Sequence, residues 1–154
     1  MPETLQEDQF AKAATRHFHD ADYLHTDSRL PSADHLYGFA AECATKSLLL
    51  RFTDVAIGPS RKPEVVDPAD PEKPLQFGHV DQLVREVRLW AHGRGGAALY
   101  SVLDGDLRAF KRWSVSTRYS DGTYAQADMV ERRRDAARRI LRVHEQALLS
   151  GKLP

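Results

Sequence analysis

Cysteine is almost absent from this chain, and its scarcity limits the kinds of site that the protein can form. Cys43 is the single cysteine among 154 residues. One thiol cannot form an internal disulfide bond, nor a metal site with several cysteine ligands. Proteins without disulfide bonds are typical of reducing compartments, so we expect a cytoplasmic protein.

Long apolar runs are also missing. No segment approaches the ~20 consecutive apolar residues that a transmembrane helix needs, and residues 1–4 lack the basic and then apolar pattern of a secretory signal. The 22 basic and 22 acidic residues cancel, so no overall field attracts nucleic acid or a membrane surface. We therefore expect no membrane partner, and any binding of anions must depend on a local concentration of basic residues.

That local concentration lies near the end of the chain. Residues 125–150 contain no Gly or Pro and predict one long amphipathic helix that ends at Gly151. His144 projects from the middle of its apolar face. The apolar residues that share this face are Met129, Ala136, Ala137, Ile140, Leu141, Ala147 and Leu148.

The predicted last helix also carries six arginines. In a helical projection, Arg134, Arg138 and Arg142 point outward, Arg133 falls on the apolar stripe, and Arg132 and Arg139 lie at its edge. Arg139 and His144 are therefore the candidate catalytic pair, at a position where two packed helices would bring them together. The alternative is that His144 is a core histidine with one hydrogen bond, and that the arginines form a solvated face.

Periodic apolar spacing predicts four further helices, at about residues 4–26, 32–52, 80–91 and 97–103. Asp104-Gly105-Asp106 is expected to end the fourth helix, with one more turn at 107–110. Residues 57–74 contain five prolines and alternating charge, which predicts a long surface loop rather than a central strand or a helix. No alternating strand pattern stands out. The sequence thus predicts a single all-α domain, an up-and-down bundle of about five helices.

A polar row on the second predicted helix supplies further candidate residues. His35, Glu42 and Lys46 recur at helical spacing beside a stripe of mostly small core residues. If the row faces a cleft, these residues line it as a substrate-binding surface. Otherwise Glu42 and Lys46 form an ordinary ion pair one helical turn apart.

Aromatic and basic residues alternate in the segment 110–122, directly before the last helix. Trp113 is interpreted as a packing anchor. Either Trp113 and Tyr119 cap the core, or Arg118 and Tyr119 line a pocket. With the polar row, they complete the candidate substrate-binding set of His35, Glu42, Lys46, Arg118 and Tyr119.

Three separated segments resemble the HEPN family of small helical domains. They are ADHLYGFAAECATK (33–46), GHVDQL (78–83), and Trp113 with Arg118-Tyr119-Ser120 ahead of a long terminal helix. The resemblance covers most of the chain apart from the Pro-rich segment. It implies an up-and-down helical bundle that pairs as a two-fold homodimer. Many HEPN domains are metal-independent ribonucleases of toxin–antitoxin and defence systems, and others bind nucleotides or pair with small nucleotidyltransferases.

Nuclease members of that family carry an Arg and a His four to six residues apart in the final helix, and Arg139 and His144 match this spacing. The residue after that Arg is typically polar, whereas this chain has Ile140. Arg138 also satisfies the spacing, although the projection points it outward. The resemblance implies an endoribonuclease that acts on RNA as a homodimer without metal or cofactor.

Two alternatives remain open. One is a non-catalytic module that binds a nucleotide or pairs with a nucleotidyltransferase or an antitoxin; Ile140 and the zero net charge favour it. The other is an arginine-rich helical protein with no ligand.

Overall fold

Five α-helices form most of the protein in the computed structural model, which describes residues 5–154. Their bounds are α1 Gln6–Thr26, α2 Leu30–Phe52, α3 Val80–Arg85, α4 Gly96–Leu107 and α5 Ala127–Ser150, with short 3-10 helices at 87–90, 108–110 and 115–119. The all-α fold class is confirmed. The predicted start of the first helix, at residue 4, lies outside the described residues. None of the helices in residues 5–154 is both long and apolar enough to cross a membrane.

The central element is α2, which packs against α1 along its length and against α5 on another face. Fully buried alanines, Ala33, Ala40, Ala41 and Ala44, let the neighbouring helices approach it closely. Close packing also explains why a glycine stands at position 38 inside the helix, because a Cβ there would overlap the indole ring of Trp113. The sequence predicts the bounds of α1, α2 and α5 to within a few residues because their periodicity is strong.

The Pro-rich segment differs from the prediction, because it contains strands. β1 Ala56–Ile57, β2 Pro63–Val65 and β3 Leu75–Gln76 form an antiparallel sheet in the order β1-β2-β3. In the register of the sheet, Glu64 lies opposite Ala56 on one side and Gln76 on the other. Pro63 is the first residue of its strand, where a missing N–H is tolerated, and buried Val65 anchors the segment. The expectation that 57–74 holds no central strand was therefore wrong.

Two helix ends also differ from the bounds predicted from the sequence. The predicted third helix breaks after Arg85, where Glu86 leaves the helical region (φ −97°, ψ 74°) and a 3-10 turn follows. The fourth helix does not end at Asp104 but continues to Leu107. A Cβ on Gly105 would meet nothing within 4 Å, so this glycine faces open space. Its cost, about 1 kcal/mol relative to Ala, is offset by the burial of Leu103 and Leu107.

Candidate functional site: a basic groove around His144

The inner face of α5 is close to the predicted one. Its buried residues are Val130, Arg133, Ala136, Ala137, Ile140, His144 and Ala147, while Met129 and Leu141 are partly buried and Leu148 is exposed. The helix ends at Gly151, whose φ of 73° is the left-handed conformation that glycine adopts at a helix C-terminus. Arg133 does lie on the apolar stripe, as projected, and it is neutralised there by an ion pair with buried Asp34.

His144 is 8% exposed and is held by a hydrogen-bond chain across three helices. Its Nε2 lies 2.9 Å from Oγ of Ser47 on α2, and the same Oγ lies 2.8 Å from the main-chain oxygen of Glu7 on α1. A carbonyl oxygen only accepts, so the single hydroxyl proton of Ser47 goes to Glu7. Ser47 must then accept from the imidazole. This assigns the ring proton of neutral His144 to Nε2 and leaves Nδ1 as the acceptor nitrogen.

The electrostatics of His144 favour the neutral ring. Burial lowers the pKa of His144 below its ordinary value, and the positive charge of Arg51 lowers it further, whereas Glu145 acts in the opposite direction. At neutral pH the ring is therefore uncharged and able to accept a proton at Nδ1.

A groove of about 750 Å³ lies between α1 and the C-terminal half of α5, and His144 contributes to its lining. We call it the His144 groove. Lys12 and Arg16 line it from α1, and Arg138 and Arg142 line it from α5. Among its described lining residues, Glu145 is the single acidic one. The groove is therefore basic although the whole chain has no net charge.

The arginines of α5 divide into paired and unpaired side chains. Arg132, Arg133, Arg134 and Arg139 form ion pairs with Asp128, Asp34, Asp22 and Asp106, respectively. Within residues 5–154, neither Arg138 nor Arg142 has a carboxylate oxygen within 4.0 Å. The same is true of Lys12 and Arg16 on α1. Four cations without an ion-pair partner in residues 5–154 thus face the groove that contains His144.

The structure does not bring the predicted pair together within one chain. Arg139 lies on the other flank of α5, beside α4, where its Nε is 2.6 Å from Oδ1 of Asp106. Its side chain is 56% exposed and is not part of the groove lining. Arg138, which the projection pointed outward, lines the groove instead. The projection located the apolar face, but it could not tell which flank of that face borders α1.

The polar row on α2 divides as well. Glu42 is buried; its Oε2 accepts from Nζ of Lys46 at 3.0 Å, so the predicted turn-to-turn ion pair forms in the interior. Oε1 of Glu42 accepts the N–H of Val80, the first residue of α3, and lies 3.0 Å from Nδ1 of His79. This hydrogen bond raises the pKa of His79. Glu42 therefore fixes α3 against α2, Lys46 supplies its counter-charge, and neither residue lines the groove.

The other three candidate binding residues meet at a separate place. His35 and Arg118 line a cavity of about 410 Å³ at the start of α2, which we call the His35 pocket. Tyr119 is next to it and 79% exposed, and the guanidinium of Arg118 lies 4.8 Å from the centre of its ring. The sequence-based set of five residues thus separates into a structural network and a pocket.

Sequence reasoning missed two basic residues of the groove and the hydrogen-bond partner of His144. Lys12 and Arg16 are one turn apart on the outer face of α1, a spacing that could have marked them as a basic pair. Ser47 gave a weaker signal, since it was counted as one of the small core residues of α2. Its role depends on contacts with two other helices, which a single-helix pattern does not contain.

Among residues 5–154, no three His, Cys, Asp or Glu side chains are grouped so that they could hold a metal ion. No protein-family model, curated protein or solved structure matches the chain. The assignment of a function therefore depends on the geometry and charge of the two sites described above.

Proposed function

We propose that this protein is a HEPN-type, metal-independent endoribonuclease that cleaves RNA in the His144 groove. One observation carries the proposal: the two arginines of α5 that lack a carboxylate partner in the described chain are the two that line the groove with His144. Structural arginines need partners, whereas arginines that bind phosphate are left free for it. The proposal takes its reaction from the family resemblance, and Arg138 replaces Arg139 as the arginine beside His144.

The charge of the groove fits a polyanion. Lys12, Arg16, Arg138 and Arg142 supply four positive charges against the single negative charge of Glu145. Because the whole chain is neutral, this field is local and directs the phosphates of RNA to one place. A groove that opens to solvent along two helices also suits a single strand better than a small compact ligand.

The chemistry needs no metal. Nδ1 of His144 takes the proton of a ribose 2′-hydroxyl, and the 2′-oxygen attacks the adjacent phosphorus. The bond from phosphorus to the 5′-oxygen breaks, and that oxygen takes up a proton. The products are a 2′,3′-cyclic phosphate and a free 5′-hydroxyl. Arg138 and Arg142 donate to the phosphate oxygens, where negative charge accumulates in the transition state.

We propose a two-fold homodimer in which the two copies of His144 line one shared site. The ring that takes the 2′-hydroxyl proton at Nδ1 becomes charged, and it is the acid that returns this proton to the leaving 5′-oxygen. Leu148 at the edge of the groove is exposed, and Leu149 beside it is 84% exposed. These apolar side chains would be covered by the partner. Such an enzyme would act in the cytoplasm as a toxin or defence protein, with an antitoxin as its natural partner.

The decisive test is cleavage of end-labelled RNA, followed on a denaturing gel in the presence of EDTA. We expect cleavage by the wild type, products that end in 2′,3′-cyclic phosphate, and no cleavage by His144→Ala. Light scattering on both proteins should give the mass of a dimer. Equal cleavage by His144→Ala would refute the assignment of the base, and a monomer in light scattering would refute the shared site.

The burial of His144 favours a second candidate function. A ring that is 8% exposed suits a groove that holds a nucleotide or RNA without cutting it, as in an adaptor that pairs with a nucleotidyltransferase or an antitoxin. In that case the wild type would bind RNA and leave it intact, and His144→Ala would bind it equally well.

A further inference from the structure

The His35 pocket has features that neither packing nor the proposed ribonuclease reaction explains. It lies between the first turns of α2 and residues 117–124, and it shares no lining residue with the His144 groove. One end is held rigid by Trp113, whose ring stacks on His35 with centroids 5.5 Å apart and whose Nε1 donates to the main-chain oxygen of Asp34.

His35 itself carries an unsatisfied group. Its Nδ1 is the one buried side-chain nitrogen or oxygen in residues 5–154 that has no hydrogen-bond partner. Burial and the nearby charge of Arg118 both lower the pKa of His35, so its ring is neutral near pH 7. A neutral imidazole has one N–H to donate. Because an unpaired buried N–H costs about 1–3 kcal/mol, the proton belongs on Nε2, the ring nitrogen that is not enclosed.

The pocket contains one cation, Arg118, and one carboxylate, Asp121, which do not pair with each other. Within residues 5–154, Arg118 has no carboxylate within 4.0 Å, and its guanidinium rests on the ring of Tyr119. The acid of the pocket, Asp121, is already occupied, because its Oδ1 accepts from the main-chain N–H and from the hydroxyl of Thr123. These hydrogen bonds lower the pKa of Asp121, so its carboxylate stays ionised without an ion pair to Arg118. Hydroxyl groups of Ser32 and Ser120 also line the pocket.

We propose that the His35 pocket binds the phosphate group of a small molecule, with Arg118 as its charge partner and His35 as a neutral donor. A guanidinium fork and several hydroxyl and imidazole donors match the oxygens of a phosphate, which accepts hydrogen bonds in several directions. A cavity of about 410 Å³ has room for a small phosphate ester but not for a folded nucleic acid. The proposal does not depend on ribonuclease activity in the other groove.

The test is a titration of the whole protein with inorganic phosphate at constant ionic strength, followed by NMR of the histidine rings and backbone amides. We expect saturable shifts in the millimolar range at His35 and in residues 117–122. Arg118→Gln should weaken binding by about tenfold or more, the loss expected for a charged hydrogen bond. Arg112→Gln, which removes an exposed arginine outside the pocket, should bind like the wild type. RNA cleavage should be unchanged by Arg118→Gln.

Three results would overturn the proposal. The first is the absence of saturable shifts at His35. The second is equal phosphate affinity in Arg118→Gln and Arg112→Gln. The third is equal affinity for acetate and phosphate, which would mean that the pocket accepts any anion. Shifts confined to the lining of the His144 groove are one form of the first result, and they would leave the ribonuclease proposal intact.

Discussion

The hydroxyl of Ser47 lies 2.9 Å from Nε2 of His144 and donates its own proton to the main-chain oxygen of Glu7. This arrangement assigns each nitrogen of the imidazole its role, because the nitrogen that donates to Ser47 cannot also be the base. The proposed chemistry therefore depends on a residue of α2 that does not line the groove.

We predict that Ser47→Ala changes the tautomer of His144. Without the hydroxyl, the Nε2 proton has no acceptor, and the buried N–H costs about 1–3 kcal/mol of folding stability. Nitrogen NMR of the ring reports the tautomer, and urea denaturation reports the stability. Thr45→Val is the matched control, since the buried hydroxyl of Thr45 bonds only to a carbonyl of its own helix. An unchanged tautomer in Ser47→Ala would contradict the assigned hydrogen-bond chain.

We predict that Arg138 matters more for RNA than Arg139. Arg138→Gln removes an unpaired charge from the groove and should lower the salt dependence of RNA binding by about one phosphate contact. Arg139→Gln removes a largely exposed ion pair with Asp106 and should have little effect on RNA. Filter binding at several salt concentrations measures the salt dependence of RNA binding for both variants. The reverse ranking would support the pair that the sequence alone suggests, with Arg139 contributed to the site by a second chain.

We predict that breaking the buried ion pair of Asp34 and Arg133 destabilises the fold strongly. Nη1 of Arg133 lies 2.9 and 2.8 Å from the two carboxylate oxygens, and both side chains are at most 5% exposed. Arg133→Met leaves the carboxylate without a charge partner and should cost about 3–5 kcal/mol. Arg132→Met, which breaks a highly exposed pair with Asp128, should cost about 0–1 kcal/mol. Equal losses in urea denaturation would mean that Asp34 finds another partner.

We predict that His144 makes folding stability fall as the pH falls below about 6.5, its unperturbed pKa. Its pKa is lowered in the folded protein, mainly by burial, so the unfolded chain binds the proton more readily. The contribution is fully present above the unfolded pKa and is lost as the pH falls toward the folded one. Arg51 strengthens this effect, whereas Glu145 weakens it. Urea unfolding between pH 5 and about pH 7.5 should therefore show a smaller pH slope in His144→Gln.

The sequence predicted the long helices better than the short elements, for a physical reason. α1, α2 and α5 bury a continuous face, and this leaves a clear period in the sequence. Strands of two or three residues, such as β2, are too short to show alternation, and Pro63 argues against a strand unless its place in the sheet is known. Gly105 predicts a helix end from local propensity, but packing of the surrounding leucines overrides it.

The site was predictable in the same partial way. A helical projection puts His144 on the inner face of α5, and the structure confirms that position. The choice between Arg138 and Arg139 depends on which side of α5 faces α1 and which faces α4. That order is a property of how the helices pack, and the residues of α5 alone contain no information about it.

The hydrogen bond from the N–H of Val80 to Glu42 has a consequence for how this chain can vary. It fixes the first residue of α3 to the middle of α2, whatever path the intervening chain takes. The mostly exposed stretch 66–73, between buried Val65 and Phe77, can then lengthen or shorten without moving α3. Evolution, or a designer, is free to graft a new segment there, provided that Phe77 returns to the core and the N–H of Val80 to the carboxylate of Glu42.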